Sequence, residues 1–111
     1  MAGDLSRGEV RFFRFPSPDK QRPVLVLTRN SALEFLNRVT VAPITSTIRG
    51  SPTEVVLGVE DGMKHPSAVN LDHVITVPRA GIGKLIGHVS PARLTDVCRA
   101  LAFAVGCRWE G

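Results

Sequence analysis

The sequence predicts a mainly β fold, a small barrel or curled sheet of about six strands with one helix packed across it. Two observations carry that expectation. Glycine and proline punctuate short apolar runs at the spacing of strands and turns through most of the chain. The period then changes once, near the C-terminus, to the three- and four-residue steps of a helix. Strands do not alternate with helices, which excludes a doubly wound α/β fold.

Residues 10–15 read as the first strand, stopping at Pro16-Ser17-Pro18-Asp19, where turn chemistry predicts a mobile loop. Residues 23–28 form an almost unbroken β-branched and leucine run that suits a strand buried on both faces. Residues 30–36 suit a short helical turn capped by Asn30 or Ser31. Alternation resumes over 39–46, with Pro43 marking an edge or a bulge. Residues 53–57, 68–77 and 84–89 complete the strands. Ser90 is then an N-cap and Pro91 the first helical residue. Leu94, Val97, Cys98, Leu101 and Val105 make the apolar stripe of that helix, and Gly106 is its stop.

A chain of 111 residues has room for one modest core, so residues 1–111 are read as a single domain. The 14 basic residues exceed the 10 acidic ones, and the formal charge of +4 favours a polyanionic partner without identifying it. No apolar run is long enough to cross a bilayer and the N-terminus lacks the blocks of a signal peptide, so a cytoplasmic location is expected. Cys98 and Cys107 are read as reduced thiols. His65, His73 and His88 are dispersed, and no metal site is expected. Walker, GxGxxG, HExxH and GxSxG motifs are absent, which removes the chemistries they serve.

Most of the arginines and lysines have solvated charge as their ordinary explanation. Arg22 stands apart because it joins a turn-rich loop to the most apolar strand, and Pro23 confines it to extended geometry. A guanidinium held there can grip two phosphate oxygens with its planar fork, or it can form a structural salt bridge with Glu9 or Asp72. Thr45, Ser46 and Thr47 form a hydroxyl run ahead of Arg49-Gly50. Such a run can donate to phosphate, and it can equally cap a turn, the commoner use.

The segments RGEV, QRPVLVLTRN, VAPITSTIRGSPTEVVL, PSAVNLDHVITVP and SPARLTDVCRALAFAVG follow one another in the order seen in MazF/PemK toxins of toxin–antitoxin pairs. The chain resembles that family over about residues 7 to 106. The resemblance implies an SH3-like barrel of the CcdB/PemK kind with a C-terminal helix, acting as a homodimer. It also implies an endoribonuclease that cleaves single-stranded RNA, often mRNA, at short motifs, with no metal and no organic cofactor. The implied protein partner is a MazE-like antitoxin whose flexible acidic segment enters the RNA groove.

In the family, the arginine of the RP motif and the threonine closing the VxxxT strand are the catalytic pair, and they correspond to Arg22 and Thr45. The loop at 16–21 resembles a segment that closes over RNA, which puts Lys20 and Gln21 on the RNA backbone. Ser46, Thr47 and Arg49 continue the rim. Ser67, Asp72 and His73 stand where the family has polar residues near the site. Many relatives carry Glu-Gln or Asp-Gln in place of Asp72-His73. His73 is thus a candidate either for proton transfer or for contact with a base.

The implied reaction uses the RNA's own 2′-hydroxyl as nucleophile. Two other functions share parts of this pattern. A CcdB-type gyrase poison uses the same barrel to bind a protein, and a non-catalytic RNA-binding module could keep the basic groove. The intact Arg22 and Thr45 favour the nuclease over both.

Overall fold

The computed structural model describes residues 4–16 and 20–108; residues 17–19, at the centre of the loop expected after the first strand, lie outside them. β1 (Glu9–Arg14), β2 (Gln21–Val26) and β3 (Arg38–Thr45) form a meander. β4 (Glu54–Leu57), β5 (Ser67–Asn70), β6 (Ile75–Pro78) and β7 (Ile82–His88) complete a curled sheet ordered β4-β5-β3-β2-β1-β7, with β6 beside β3. Two register shifts between β1 and the edge strand β7 interrupt the ladder, and irregularities of that kind increase local twist and curl.

The strand predicted over 68–77 is instead two strands, β5 and β6, separated by a 3-10 turn at Leu71–His73. Asn70 causes the break. Its side-chain oxygen accepts the backbone N–H of Asp72 at 2.9 Å, an asparagine turn that takes a donor the ladder would otherwise use. The division raises the expected six strands to seven.

β3 keeps β2 along one side but changes partner along the other. Arg38 to Val41 pair with β6, while Ile44 and Thr45 pair with β5. Pro43 falls in the interval between those two partners, in keeping with the confinement of proline to irregular or edge positions in a sheet.

Strand alternation divides the core in two. Val10, Leu25, Ile44 and Val69 lie in one cluster with Val97 and Ala100 of α2 (Pro91–Ala104). Phe13, Val24, Val26, Val39, Val41 and Val77 form the other with Leu33, inside the curl. Full burial of each such valine or leucine is worth about 1.5–3 kcal/mol relative to exposure. The apolar run of β2 is thus explained by burial on both faces, with Leu25 in one cluster and Val24 and Val26 in the other.

α2 begins as the sequence predicts. The Ser90 hydroxyl oxygen accepts the N–H of Arg93 at 3.1 Å, and Pro91 opens the helix. Gly106 follows the last turn with φ +75°. Val105, placed on the buried stripe by its spacing, is 64% exposed because it lies beyond Ala104 as the C-cap. Ser90→Ala is expected to cost about 1 kcal/mol of stability, visible as a lower denaturation midpoint; an unchanged midpoint would show that the cap bond contributes nothing.

The short helical turn is α1 (Asn30–Leu33), and Arg29 rather than a polar side chain occupies its N-cap. The Asn30 side chain accepts the N–H of Arg7 at 2.8 Å instead, tying the N-terminal segment to the turn. Both cysteines are free thiols. No helix among the described residues is long and apolar enough to cross a membrane.

Candidate functional site

The sheet divides at the ends of β2 and β3, and this is where the candidate residues gather. The β2–β3 register runs from Val26↔Val41 to Val24↔Pro43 and stops. Beyond that point β2 stays with β1 down to Gln21, while β3 turns to β5 at Ile44 and Thr45. Extending the β2–β3 register by two residues brings Arg22 level with Thr45. The period of two puts both on the face of Val24 and Val41, at the end of the curl. On that extended register Arg22 and Thr45 fall opposite each other at the point where β3 leaves β2 for β5.

The structural salt bridge open to Arg22 in the sequence is not formed. Glu9 is held by Arg11 at 2.9 Å, and Asp72 accepts the Thr53 hydroxyl at 2.7 Å. Arg22 is exposed, and its guanidinium makes no hydrogen bond or ion pair with another described residue. Its backbone, in contrast, is fixed by cross-strand pairing with Phe13. A forked cation on a fixed strand and open to solvent is placed to receive an anion. Lys20 and Gln21 are exposed just before it, and the Lys20 carbonyl accepts the N–H of Phe15 at 3.2 Å.

Thr45 serves both readings of its hydroxyl. Its Oγ1 accepts the N–H of Thr47 at 3.1 Å, which shapes the turn. That bond uses an acceptor lone pair and leaves the hydroxyl proton available for donation. Ser46, Thr47 and Arg49 follow on an exposed loop. Ser67 does not share that exposure: it is 3% exposed, and its hydroxyl donates to the His65 carbonyl at 3.2 Å. As the first residue of β5 it packs inward, so the expectation that it contacts a ligand does not fit its placement.

Asp72 and His73 lie on the 3-10 turn beside β3. Asp72 is exposed and spends one carboxylate oxygen on Thr53, which ties two segments together and leaves the other oxygen open. His73 is exposed, and its Nδ1 lies 3.2 Å from the Asn70 amide nitrogen. Because the Asn70 oxygen already accepts from Asp72, that amide nitrogen is the donor and Nδ1 the acceptor. The neutral ring then carries its proton on Nε2, the other edge, which makes His73 a donor on that side. This tautomer favours contact with an acceptor over removal of a proton by Nε2.

Residues not singled out in the sequence hold this rim together. Glu54 Oε1 accepts the backbone N–H groups of Arg49, Gly50 and Ser51 at 3.0, 2.9 and 3.3 Å. Asn70 is its cross-strand partner, and Thr53 and Ser51 share a hydroxyl bond of 2.8 Å. The signal for Glu54 was present as the spacing Ser51-x-x-Glu54, a capping-box pattern that here closes a loop without a helix.

Two clefts have volumes of about 500 and 480 Å³: one between β4 and α2, the other lined by Phe12, Met63, Lys64 and Lys84. Glu54 lines the first and Pro23 the second, which places both clefts next to the rim without including Arg22 or Thr45 in their walls. Among the described residues, no group of three or more His, Cys, Asp or Glu side chains could hold a metal ion.

A family model described as the PemK-like, MazF-like toxin of type II toxin–antitoxin systems matches residues 6–105. Endoribonuclease MazF3 of Mycobacterium tuberculosis is 40% identical over 91 residues, covering 82% of this chain and 88% of that protein. Among solved structures, the Mycobacterium tuberculosis toxin MazF-mt6 superposes with a TM-score of 0.84 at 35% identity, over 91% of this chain and 99% of that one. A mycobacterial endoribonuclease solved in complex with its cognate antitoxin gives 0.86 at 28% identity, over 96% and 100%. The fold is that of a small β toxin scaffold with a C-terminal helix. The chain belongs to the PemK/MazF family of toxins.

Proposed function

We propose that the protein is an endoribonuclease toxin that cuts single-stranded RNA, probing short motifs with the rim between β2 and β3 and using no metal ion. What supports this reading is the β2–β3 register, which if continued two residues past Val24↔Pro43 sets Arg22 opposite Thr45, together with an exposed guanidinium that bonds no other described residue.

The chemistry asked of those residues is positioning and charge stabilisation. The 2′-oxygen of the RNA attacks the adjacent phosphorus as its proton passes to solvent water, and the bond to the 5′-oxygen breaks. That oxygen takes a proton from water and leaves as a 5′-hydroxyl, with a 2′,3′-cyclic phosphate left behind. Negative charge gathers on the equatorial oxygens, where a preorganised donor is worth about 2.7–4 kcal/mol. Arg22 supplies the fork and Thr45 a hydroxyl donor. A guanidinium stays protonated in proteins and has no acceptor lone pair to offer, so Arg22 acts as clamp rather than proton acceptor. Lys20, Gln21, Ser46, Thr47 and Arg49 hold the flanking backbone, and His73 presents Nε2–H to an acceptor on RNA. Asp72 contributes by holding Thr53, and Ser67 has no direct part.

The protein works in the cytoplasm as a homodimer restrained by a cognate antitoxin with an acidic flexible segment. The exposed cations of the rim favour such a segment electrostatically. Phe35, Val59 and Phe103 leave apolar surface in keeping with self-association.

Incubating the purified protein with a mixed-sequence single-stranded RNA in excess EDTA is expected to give discrete fragments with cyclic-phosphate ends. Intact RNA under those conditions, with cleavage restored by a divalent cation, would overturn the metal-free route. Intact RNA in both, with inhibition of gyrase, would favour a poison of the CcdB type.

A further inference from the structure

The rim that carries Thr45 owes its shape to one carboxylate. Three successive backbone N–H groups, from Arg49, Gly50 and Ser51, converge on Glu54 Oε1. Gly50 adopts φ +75°, the left-handed conformation that lets consecutive N–H groups point into one concavity. A concavity of this kind binds anions, and here the chain's own carboxylate fills it. A phosphate is therefore left to the side chains of the loop and not to its backbone.

Glu54 also sits where the two walls of the site meet. Its cross-strand partner on β5 is Asn70, whose side chain bonds Asp72 and His73 on the facing turn. Thr53, the preceding residue, donates its hydroxyl to Asp72 at 2.7 Å, and its carbonyl accepts the N–H of Leu71 at 2.9 Å. One wall is the loop after Thr45, the other is the Leu71–His73 turn, and residues 53, 54 and 70 lock them together.

We propose that Glu54 is a positioning residue for RNA cleavage. By gathering the N–H groups of Arg49, Gly50 and Ser51 it fixes the loop that presents Thr45, Ser46, Thr47 and Arg49 to the scissile region. It does not touch RNA. The inference rests on the endoribonuclease reading above and adds a specific cause for the geometry that reading needs.

The test is single-turnover and steady-state cleavage of a short fluorescent RNA by the full-length protein and its Glu54→Ala and Glu54→Gln variants. Loss of the clamp lets the loop drift, and a misplacement of about 1 Å costs on the order of 10²-fold, so Glu54→Ala is expected to lose about that factor in kcat. Glutamine keeps an acceptor oxygen but loses charge assistance, which roughly halves bond strength, so Glu54→Gln is expected to recover part of the rate and remain about tenfold below the parent. KM should rise by a smaller factor than kcat falls in both, because Ser46, Thr47 and Arg49 shift with the loop while Lys20, Gln21 and Arg22 keep their contacts with RNA. A kcat equal to the parent's, or a loss carried wholly in KM, overturns the inference. If the alanine variant does not fold, the glutamine variant decides by the same criterion. A parent that leaves RNA intact defeats the endoribonuclease reading itself, a result distinct from an active parent with indifferent variants.

Discussion

Arg22→Ala is expected to reduce kcat for RNA cleavage by about 10²–10³-fold, the usual consequence of removing one preorganised donor from a site where charge develops. Several features make this the largest catalytic effect expected. The Arg22 backbone is held by pairing with Phe13 and by the restriction that Pro23 imposes. Its guanidinium has no competing partner among the described residues, so an incoming phosphate displaces none of their side chains. Arg22→Lys separates charge from shape. Lysine keeps the cation but lacks the planar fork, and a loss of about tenfold or more is expected. Both variants should unfold close to the parent's temperature, because the side chain is exposed and bonds no other described residue. The measurement is cleavage of a labelled oligonucleotide beside a thermal melt. If Arg22→Lys cuts as fast as the parent, the two-oxygen grip is wrong and only charge matters at this position.

Part of the candidate site can be read from the amino-acid sequence. Arg22 stands out by chemistry, a cation before a proline at the start of an apolar strand, whereas Thr45 reads first as a turn former and becomes a candidate through the family resemblance. The helix from Pro91 to Ala104 announces itself through its cap and period. What escapes the sequence depends on contacts between distant segments. Ser67 reads as one more rim hydroxyl until β5 turns it inward against His65. Asn70 looks like an ordinary strand residue, yet its side chain ends β5 and orients His73. Glu54 is a charge before an apolar run, and only the return of the loop shows it gathering three N–H groups. Local pattern reveals propensity and chemistry; it does not reveal which backbone donors a side chain will meet.

Gly87→Ala is expected to be the most destabilising single-methyl change, and the reason is close backbone approach. A Cβ at Gly87 would lie 2.2 Å from the Asp61 carbonyl oxygen and 3.0 Å from the Gly62 Cα, both main-chain atoms that cannot rotate aside. Either β7 or the turn at Val59–Asp61 must move. The turn is poorly able to do so. Asp61 is buried, its carboxylate accepts the N–H of Gly58 at 3.0 Å, and Arg93 of α2 pairs with it at 3.3 Å and with Glu60 at 3.0 Å. Shifting the turn weakens a partly buried ion pair, and shifting β7 breaks its pairing with β1 at Val10. Overpacking usually costs about 1–3 kcal/mol and the backbone clash puts this site at the upper end or beyond, so a loss of about 3 kcal/mol or more is expected. In a domain of this size that lowers the melting temperature by roughly 10–20 °C. Cleavage by the fraction that remains folded should keep the parent's kcat, since Val10, and not Phe13 beside Arg22, is the β1 partner of Gly87. A variant melting with the parent would mean that β7 and the turn separate at little cost, and that the contact between Gly62 and Gly87 holds neither in place.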